Sequence, residues 1–402
     1  MRHPRILVFA LSVASALGSA LLAAPPSFQT LDEFAEATGI SADGSVVVGN
    51  RIAGLVPGDP LGGLIGPSYL YDAVRWEDGV TTGLEPLPGG QTDGGARGVS
   101  ADGSVIVGHA TGDGGKEAVL WQNGAITCLG VLDGFDDSFV CDVSADGSVA
   151  VGGASAGAGL MITGDAWRWD NGVMSGLGVG VAPPEWAVAN AVSGDGGVVV
   201  GSRLSLGAGH SFRWDNGELT TLGRVSANGV SADGSVVVGG VGLGGQAWQW
   251  EDGVATDLGG MPGTEWGTAL DVSADGSVIV GSVGGNENEW WDGSTLGVLW
   301  TPSEGARYVG DVLADHFGLD LDGWVLHEVV AISDDGLTIV GNATKDFEKA
   351  QFIGAWVAHI PEPGTLALLA VGALVWVGRG RSGATRISIC VEELQCAGTK
   401  HG

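Results

Sequence analysis

The chain has 402 residues, with 17 Lys and Arg against 47 Asp and Glu, a formal charge of −30. So few cations exclude a nucleic-acid-binding surface, which needs a positive footprint, and they disfavour docking on anionic lipid. The 74 glycines keep no three-residue period, so the chain is not collagen-like, and 44% hydrophobic against 16% charged residues exclude a disordered chain.

Residues 1–24 read as a secretory signal peptide. Arg2 and Arg5 give a positive start, residues 6–22 are apolar or small, and Gly18, Ala20, Ala23 and Ala24 offer cleavage positions. Signal peptidase is the partner this implies.

Residues 27–360 form a repeat array. The phrase Ile40-Ser41-Ala42-Asp43-Gly44-Ser45-Val46-Val47-Val48-Gly49 is the first of seven copies, whose Asp-Gly pairs recur at Asp102, Asp146, Asp195, Asp233, Asp275 and Asp335, 38 to 60 residues apart. Between copies stands a second phrase, Ala73-Val74-Arg75-Trp76-Glu77-Asp78-Gly79, which returns around Trp121, Trp169, Trp214 and Trp250 and more weakly at Trp300 and Trp356. Ala-Asp-Gly between two β-rich runs predicts a hairpin with Gly in the left-handed position, and Glu-Asp-Gly or Asp-Asn-Gly after Trp predicts another of the same kind. Val46-Val47-Val48 is apolar on both faces, so its strand should be covered on both sides.

Each repeat therefore holds four short antiparallel strands, and four strands per ~40–50 residues is the propeller period. The fold expected is all-β, a seven-bladed β-propeller. A parallel β-helix would need shorter, more regular coils. The seventh repeat stops near residue 360 without its fourth strand, and Ser27-Phe28-Gln29-Thr30-Leu31 resembles the missing one, so the start of the chain should complete the last blade. Val309, Leu313 and Phe317 are spaced four apart and predict a short helix capping the last blades.

These phrases, with the segment from Val309-Gly310-Asp311 to Asp322-Gly323-Trp324, resemble the HAF repeats of a family of extracellular repeat proteins. The resemblance implies a secreted or surface protein and names no reaction.

In a four-stranded meander, alternate connections lie at opposite ends. Both glycine turns fall at one end and the variable loops, including residues 50–71, 133–139, 183–186, 262–266 and 284–291, at the other. A ligand site is expected there. Glu185-Trp186 and Glu265-Trp266 stand at the same distance before their Asp-Gly pairs, and Trp290-Trp291 lies nearby. Tryptophan beside a carboxylate suits a sugar ring, whereas the plainer alternative is packing between blades. The seven Asp-Gly pairs are turn chemistry rather than metal ligands or catalytic acids, since residues spread around a ring cannot converge on one substrate. No catalytic constellation, metal spacing or cofactor motif stands out. Cys128 and Cys141 are candidates for a disulfide in an exported chain, with two buried thiols as the alternative.

At the far end, Pro361-Glu362-Pro363-Gly364 precedes an apolar run, residues 365–378, and then Arg379, Arg381 and Arg386. The order of acidic ectodomain, apolar span and cationic flank fits a membrane helix. These residues resemble the PEP-CTERM sorting signal. The resemblance implies export, transient retention in the inner membrane and recognition by an exosortase. It also associates the chain with bacteria that make extracellular polysaccharide. The signal occupies residues 361–381, and residues 382–402 continue past the point where it normally ends a protein.

The reading is an exported surface protein with a non-catalytic binding or structural role, without cofactor or nucleic acid, associated with extracellular polysaccharide. The alternative is a secreted carbohydrate-active hydrolase or lyase on a propeller scaffold.

Overall fold

The computed structural model describes residues 24–55, 69–88, 93–112, 115–157, 163–179, 186–205, 208–223, 226–240, 245–285, 295–345 and 353–361. The segment read as a signal peptide (through residue 23), the apolar run 365–378 and the tail 382–402 lie outside them.

The described residues are all-β, in four-stranded antiparallel sheets. The first unit comprises Glu36–Ile40, Val46–Leu55, Tyr69–Glu77 and Val80–Gly83. The second is Gly94–Val99, Val105–Gly112, Gly115–Gln122 and Ala125–Gly130. The third is Asp137–Val143, Val149–Ala156, Thr163–Asp170 and Val173–Gly176. The fourth runs through Trp186–Val192, Val198–Ser205, Ala208–Asp215 and Glu218–Gly223. The fifth, Ser226–Val230 to Val254–Asp257, and the sixth, Trp266–Val272 to Gly305–Tyr308, are joined by one bridge, Gly240 to Thr268, into an eight-stranded sheet. The seventh has Trp324–Ile332, Thr338–Lys345 and Ile353–His359, and its fourth strand is Ser27–Leu31, paired from Ser27↔His359 to Leu31↔Ala355. The latch expected from the sequence is present, with Phe28 against Trp356 (ring centroids 6.2 Å) and Leu31 buried.

The Ser-Ala-Asp-Gly phrase builds one hydrogen-bonded turn per unit. In the third unit the buried Ser144 Oγ donates to Asp146 Oδ1 (2.8 Å) and accepts the Val149 N–H (3.0 Å). The Ser148 N–H donates to Asp146 Oδ1 (2.9 Å) and Gly147 takes φ +73°. Neighbouring turns also bond to one another. Ala42 N–H donates to Ala101 O, Ala101 to Ala145, Ala145 to Gly194, Gly194 to Ala232, Ala232 to Ala274, Ala274 to Asp334, and Asp334 back to Ala42, all at 2.9–3.2 Å. The chain of seven bonds closes on itself.

The second turn differs from the first. Asp78, Asn123, Asn171, Asn216 and Asp252 have φ of 46–53°, and the glycine after each is also positive. Two consecutive positive-φ residues make a type I′ hairpin, the turn that Asn-Gly and Asp-Gly favour. The Arg ahead of this turn is used across the gap: Arg168 bonds Asp170 (2.8 Å) and lies over the Trp214 ring of the next unit, and Arg213 does the same with Asp215 (2.9 Å) and Trp250.

The core is divided among the gaps between sheets. Val46 and Val48 pack with Ala96, Ile106 and Val119 of the second unit, while Val47 between them packs with Ala331 and Val340 of the seventh. The remaining clusters fill each following gap in turn. A run apolar on both faces is what a strand between two neighbours requires. The short helix is also present, as Val309–Asp311 continuing into a π turn, Val312–His316, with Val309 and Leu313 fully buried.

Candidate functional site

The first strand of every unit carries a β-bulge at the same place. The ladder skips Thr38, Arg97, Cys141, Asn190, Asn228, Leu270 and Val330, each three residues before the turn serine. A bulge re-aims a side chain. All seven of these residues line a chamber of about 570 Å³ toward the loop end and also a smaller one of about 150 Å³ toward the turn end. They form the waist between the two.

Glycine opposite the bulge makes it fit. In the third unit a Cβ on Gly152 would stand 2.0 Å from the Phe139 carbonyl oxygen, and the same approach recurs in the other six units. The Val-Gly ending of each repeat is therefore the counterpart of the bulge.

Three waist residues tie adjacent units together. Thr38 Oγ1 donates to Ala96 O (3.0 Å), Asn190 Nδ2 to Ala227 O (2.7 Å) and Asn228 Nδ2 to Ala269 O (2.8 Å). Above the waist, Glu36 accepts from the buried Asn50, and Glu328 from Asn342 Nδ2 (2.9 Å), while Asn342 Oδ1 accepts the Ala37 N–H of the first unit (2.9 Å). Arg97, His109 and Lys116, on three consecutive strands of the second unit, line the same chamber. Burial, then the charges of Lys116 and Arg97, hold His109 down to about 3, so it is neutral at physiological pH. Burial and Arg97 lower Lys116 as well.

Below the waist, Asp142 and Asp271 line the smaller chamber. Asp142 accepts the Val143 N–H (2.8 Å) and the Val192 N–H of the next unit (2.9 Å). Asp271 accepts those of Val272 (2.8 Å) and Ile332 (2.9 Å). Burial outweighs these bonds and pushes Asp142 up to about 6 and Asp271 to about 7. A carboxyl raised above its unfolded value favours the fold below the unfolded pKa and loses that contribution as pH rises through the folded value. The turn carboxylates Asp43, Asp146, Asp195, Asp233 and Asp275 are lowered, chiefly by hydrogen bonds from Ser or from the Gly197 N–H, and act in the opposite sense. The melting temperature should therefore rise from about pH 8 to about pH 5, less steeply below about pH 6.5, where the lowered His109 opposes the two carboxyls, and fall below about pH 4. Calorimetry checks this, and Asp142→Asn/Asp271→Asn should flatten the upper limb. A flat wild-type profile from pH 5 to 8 would contradict the raised pair.

The residues singled out in the sequence lie elsewhere. Trp266 is 8% exposed, turned toward its cross-strand partner Gly284, whose missing side chain leaves room for the indole. It is buried rather than presented, which corrects the stacking role, although Glu265 beside it is exposed. Trp186 is half-buried against Gly164. Glu185, Trp290 and Trp291 lie outside the described residues. Cys128 and Cys141 are both free thiols. Cys128 is exposed on the outermost strand of the second unit and Cys141 sits at the waist on the innermost strand of the third, separated by three strand spacings, roughly 14 Å, beyond the ~7 Å Cα reach of a disulfide. Burial pushes the Cys141 thiol up to about 12. Among the described residues no group of three or more His, Cys, Asp and Glu is gathered as metal ligands. Pro361 is buried, and Glu362, Pro363, Arg379 and Arg381 fall outside the described residues.

That last segment is decided by comparison: residues 359–382 match the PEP-CTERM protein-sorting motif. The chain carries this sorting signal. The motif implies export, membrane anchoring during sorting and processing by an exosortase-type enzyme. No curated protein matches the chain. Among solved structures, the uncomplexed acylaminoacyl peptidase of Pyrococcus horikoshii aligns with a TM-score of 0.50 at 9% identity, over 86% of this chain and 56% of its own. The β-propeller domain of the trilobed protease from Pyrococcus furiosus aligns at 0.49 and 8%, over 81% and 94%. An oligogalacturonate lyase in complex with manganese aligns at 0.49 and 12%, over 85% and 98%. At such identities a likeness concerns the fold alone.

Proposed function

We propose that this chain is a seven-bladed propeller of HAF-repeat type that, once exported and sorted, binds extracellular polysaccharide at the cell surface without chemistry. Residues 1–24 act as its signal peptide and residues 361–381 as the exosortase-read anchor. The observation that carries the binding role is the chamber itself. Seven bulges aim seven side chains of six kinds at one space of about 570 Å³, within the ~300–1,000 Å³ range of small-molecule pockets. In a closely repeated frame, variation at the chamber wall is how a scaffold acquires a ligand. The carboxylates on that wall support binding over catalysis, because Glu36 and Glu328 are each held by an asparagine on their own unit.

A hydrolase or lyase is the second reading. It is favoured by the raised carboxyls of Asp142 and Asp271, since a carboxyl protonated near neutrality can act as a general acid. A glycan-array screen of the purified chain, followed by mass spectrometry of the glycans, separates the two. Binding with every glycan intact is the expected result. Shortened products, abolished by Asp142→Asn/Asp271→Asn, would replace binding by catalysis.

A further inference from the structure

The chamber wall is polarised. Arg97, at the second unit's bulge, is exposed to the chamber and makes no hydrogen bond or ion pair among the described residues. Nor does the Lys116 ammonium, although the Lys116 backbone N–H is bonded to Asp137 Oδ1 (3.1 Å). His109 stands between their strands, and both cations lie close enough to depress its basicity.

This arrangement goes against the rest of the molecule. The chain holds 47 acids for 17 Lys and Arg. Elsewhere Arg51, Arg75, Arg168, Arg213, Arg307 and Lys345 each have a carboxylate partner within 4 Å. These two cations have no carboxylate within salt-bridge distance among the described residues, and Asp93 and Asp137 only partly offset burial and the repulsion of Arg97 at Lys116, so their charges disfavour the fold. An anion placed between them removes that repulsion and receives charge-assisted hydrogen bonds. The adjoining wall of the chamber, on the first and seventh units, presents Glu36 and Glu328, which can only accept hydrogen bonds when ionised. A ligand matching both sides carries an oxyanion at one end and hydroxyl donors at the other.

We infer that the chamber is an anion-reading site, in which Arg97 and Lys116 hold the carboxylate of an acidic sugar residue while Glu36 and Glu328 accept its hydroxyls. This rests on the polysaccharide-binding reading above and names the sugar class. Arg97 supplies a fork that pairs with a carboxylate through two parallel bonds, and Lys116 supplies a point charge. Neutral His109 adds one donor.

Calorimetric titration of the full chain in detergent tests it, with a uronic-acid tetrasaccharide, its carboxyl-reduced neutral counterpart, and inorganic phosphate as probes. The acidic tetrasaccharide should bind at least about tenfold more tightly than the reduced one, and less tightly as salt rises. Arg97→Gln should lose at least about tenfold in affinity, Arg97→Lys should retain part of it, and Arg307→Gln, away from the chamber, should change nothing. Melting curves establish that each variant is folded. Equal binding of both tetrasaccharides, unaffected by Arg97→Gln, overturns the anion site and leaves polysaccharide binding standing. Arg97-dependent binding of phosphate with neither tetrasaccharide bound supports the anion site and overturns the sugar. Failure of all three probes overturns both.

Discussion

Deleting Ser27–Leu31 should abolish the cooperative unfolding of the repeat array. That strand is the fourth of the last sheet, and without it Ile353–His359 becomes an open edge. Leu31 leaves the gap between the seventh and first units, where it packs with Phe34, Val47 and Val340, and Phe28 leaves Trp356. Burying one Leu side chain is worth about 1.5–3 kcal/mol, and the five-residue ladder is lost with it. The total should consume much of the ~5–15 kcal/mol by which a domain is ordinarily stable. Urea denaturation followed by Trp fluorescence should show a broad, low-midpoint transition, and size-exclusion chromatography should show association through the exposed edge. Leu31→Ala gives a graded version, about 2–4 kcal/mol below wild type. A cost under about 1 kcal/mol would mean that the first strand does not close the last sheet.

Gly152→Ala should be nearly as damaging. The new methyl would stand 2.0 Å from the Phe139 carbonyl oxygen, and that carbonyl belongs to backbone fixed by the bulge at Cys141. No rotamer relieves a clash of Cβ with backbone, so the bulge must shift and the register of the third unit with it. The expected loss is about 3 kcal/mol or more, at the upper end of overpacking effects. Gly124→Ala is the internal control. Gly124 has φ +76° with nothing within 4 Å of its would-be Cβ, so it should cost only the ~1–2 kcal/mol of left-handed backbone. Equal losses at the two sites, read from denaturation midpoints, would show that backbone conformation rather than the approach of the bulge requires the glycine.

Much of the frame is legible in the residues. Ser144-Ala145-Asp146-Gly147 already contains its turn: a serine to bond the carboxylate, the carboxylate to hold the next amide, and a glycine for the left-handed corner. The Val triplet announces a strand covered on both faces, and Ser27–Leu31 matches the strand the last repeat lacks. Less of the site is legible. The bulge changes the strand's period at one residue, and alternation arguments assume that the period is kept. A signal is nonetheless present. The position three before the turn serine is Thr38, Arg97, Cys141, Asn190, Asn228, Leu270 and Val330 in a phrase otherwise nearly constant, and the Val-Gly glycine marks where a carbonyl approaches. Trp266 misleads for a physical reason. A large aromatic at the head of a strand reads as a presented surface, but the glycine facing it on the partner strand offers a cavity, and burial wins. The thiols of Cys128 and Cys141 mislead similarly, because closeness in sequence hides the passage from the outer edge of one sheet to the inner edge of the next.

Closure of the seven turns into one hydrogen-bonded ring underlies the two chambers, and amide hydrogen exchange tests that closure most directly. The amides to follow are those of Ala42, Ala101, Ala145, Gly194, Ala232, Ala274 and Asp334. In a closed ring no junction is an end, so all seven should exchange together, among the slowest in the protein and only through global unfolding. Fast exchange at Asp334 and Ala42, with the other five protected, would show an array open between its last and first units and would contradict the closed ring and the chamber built on it.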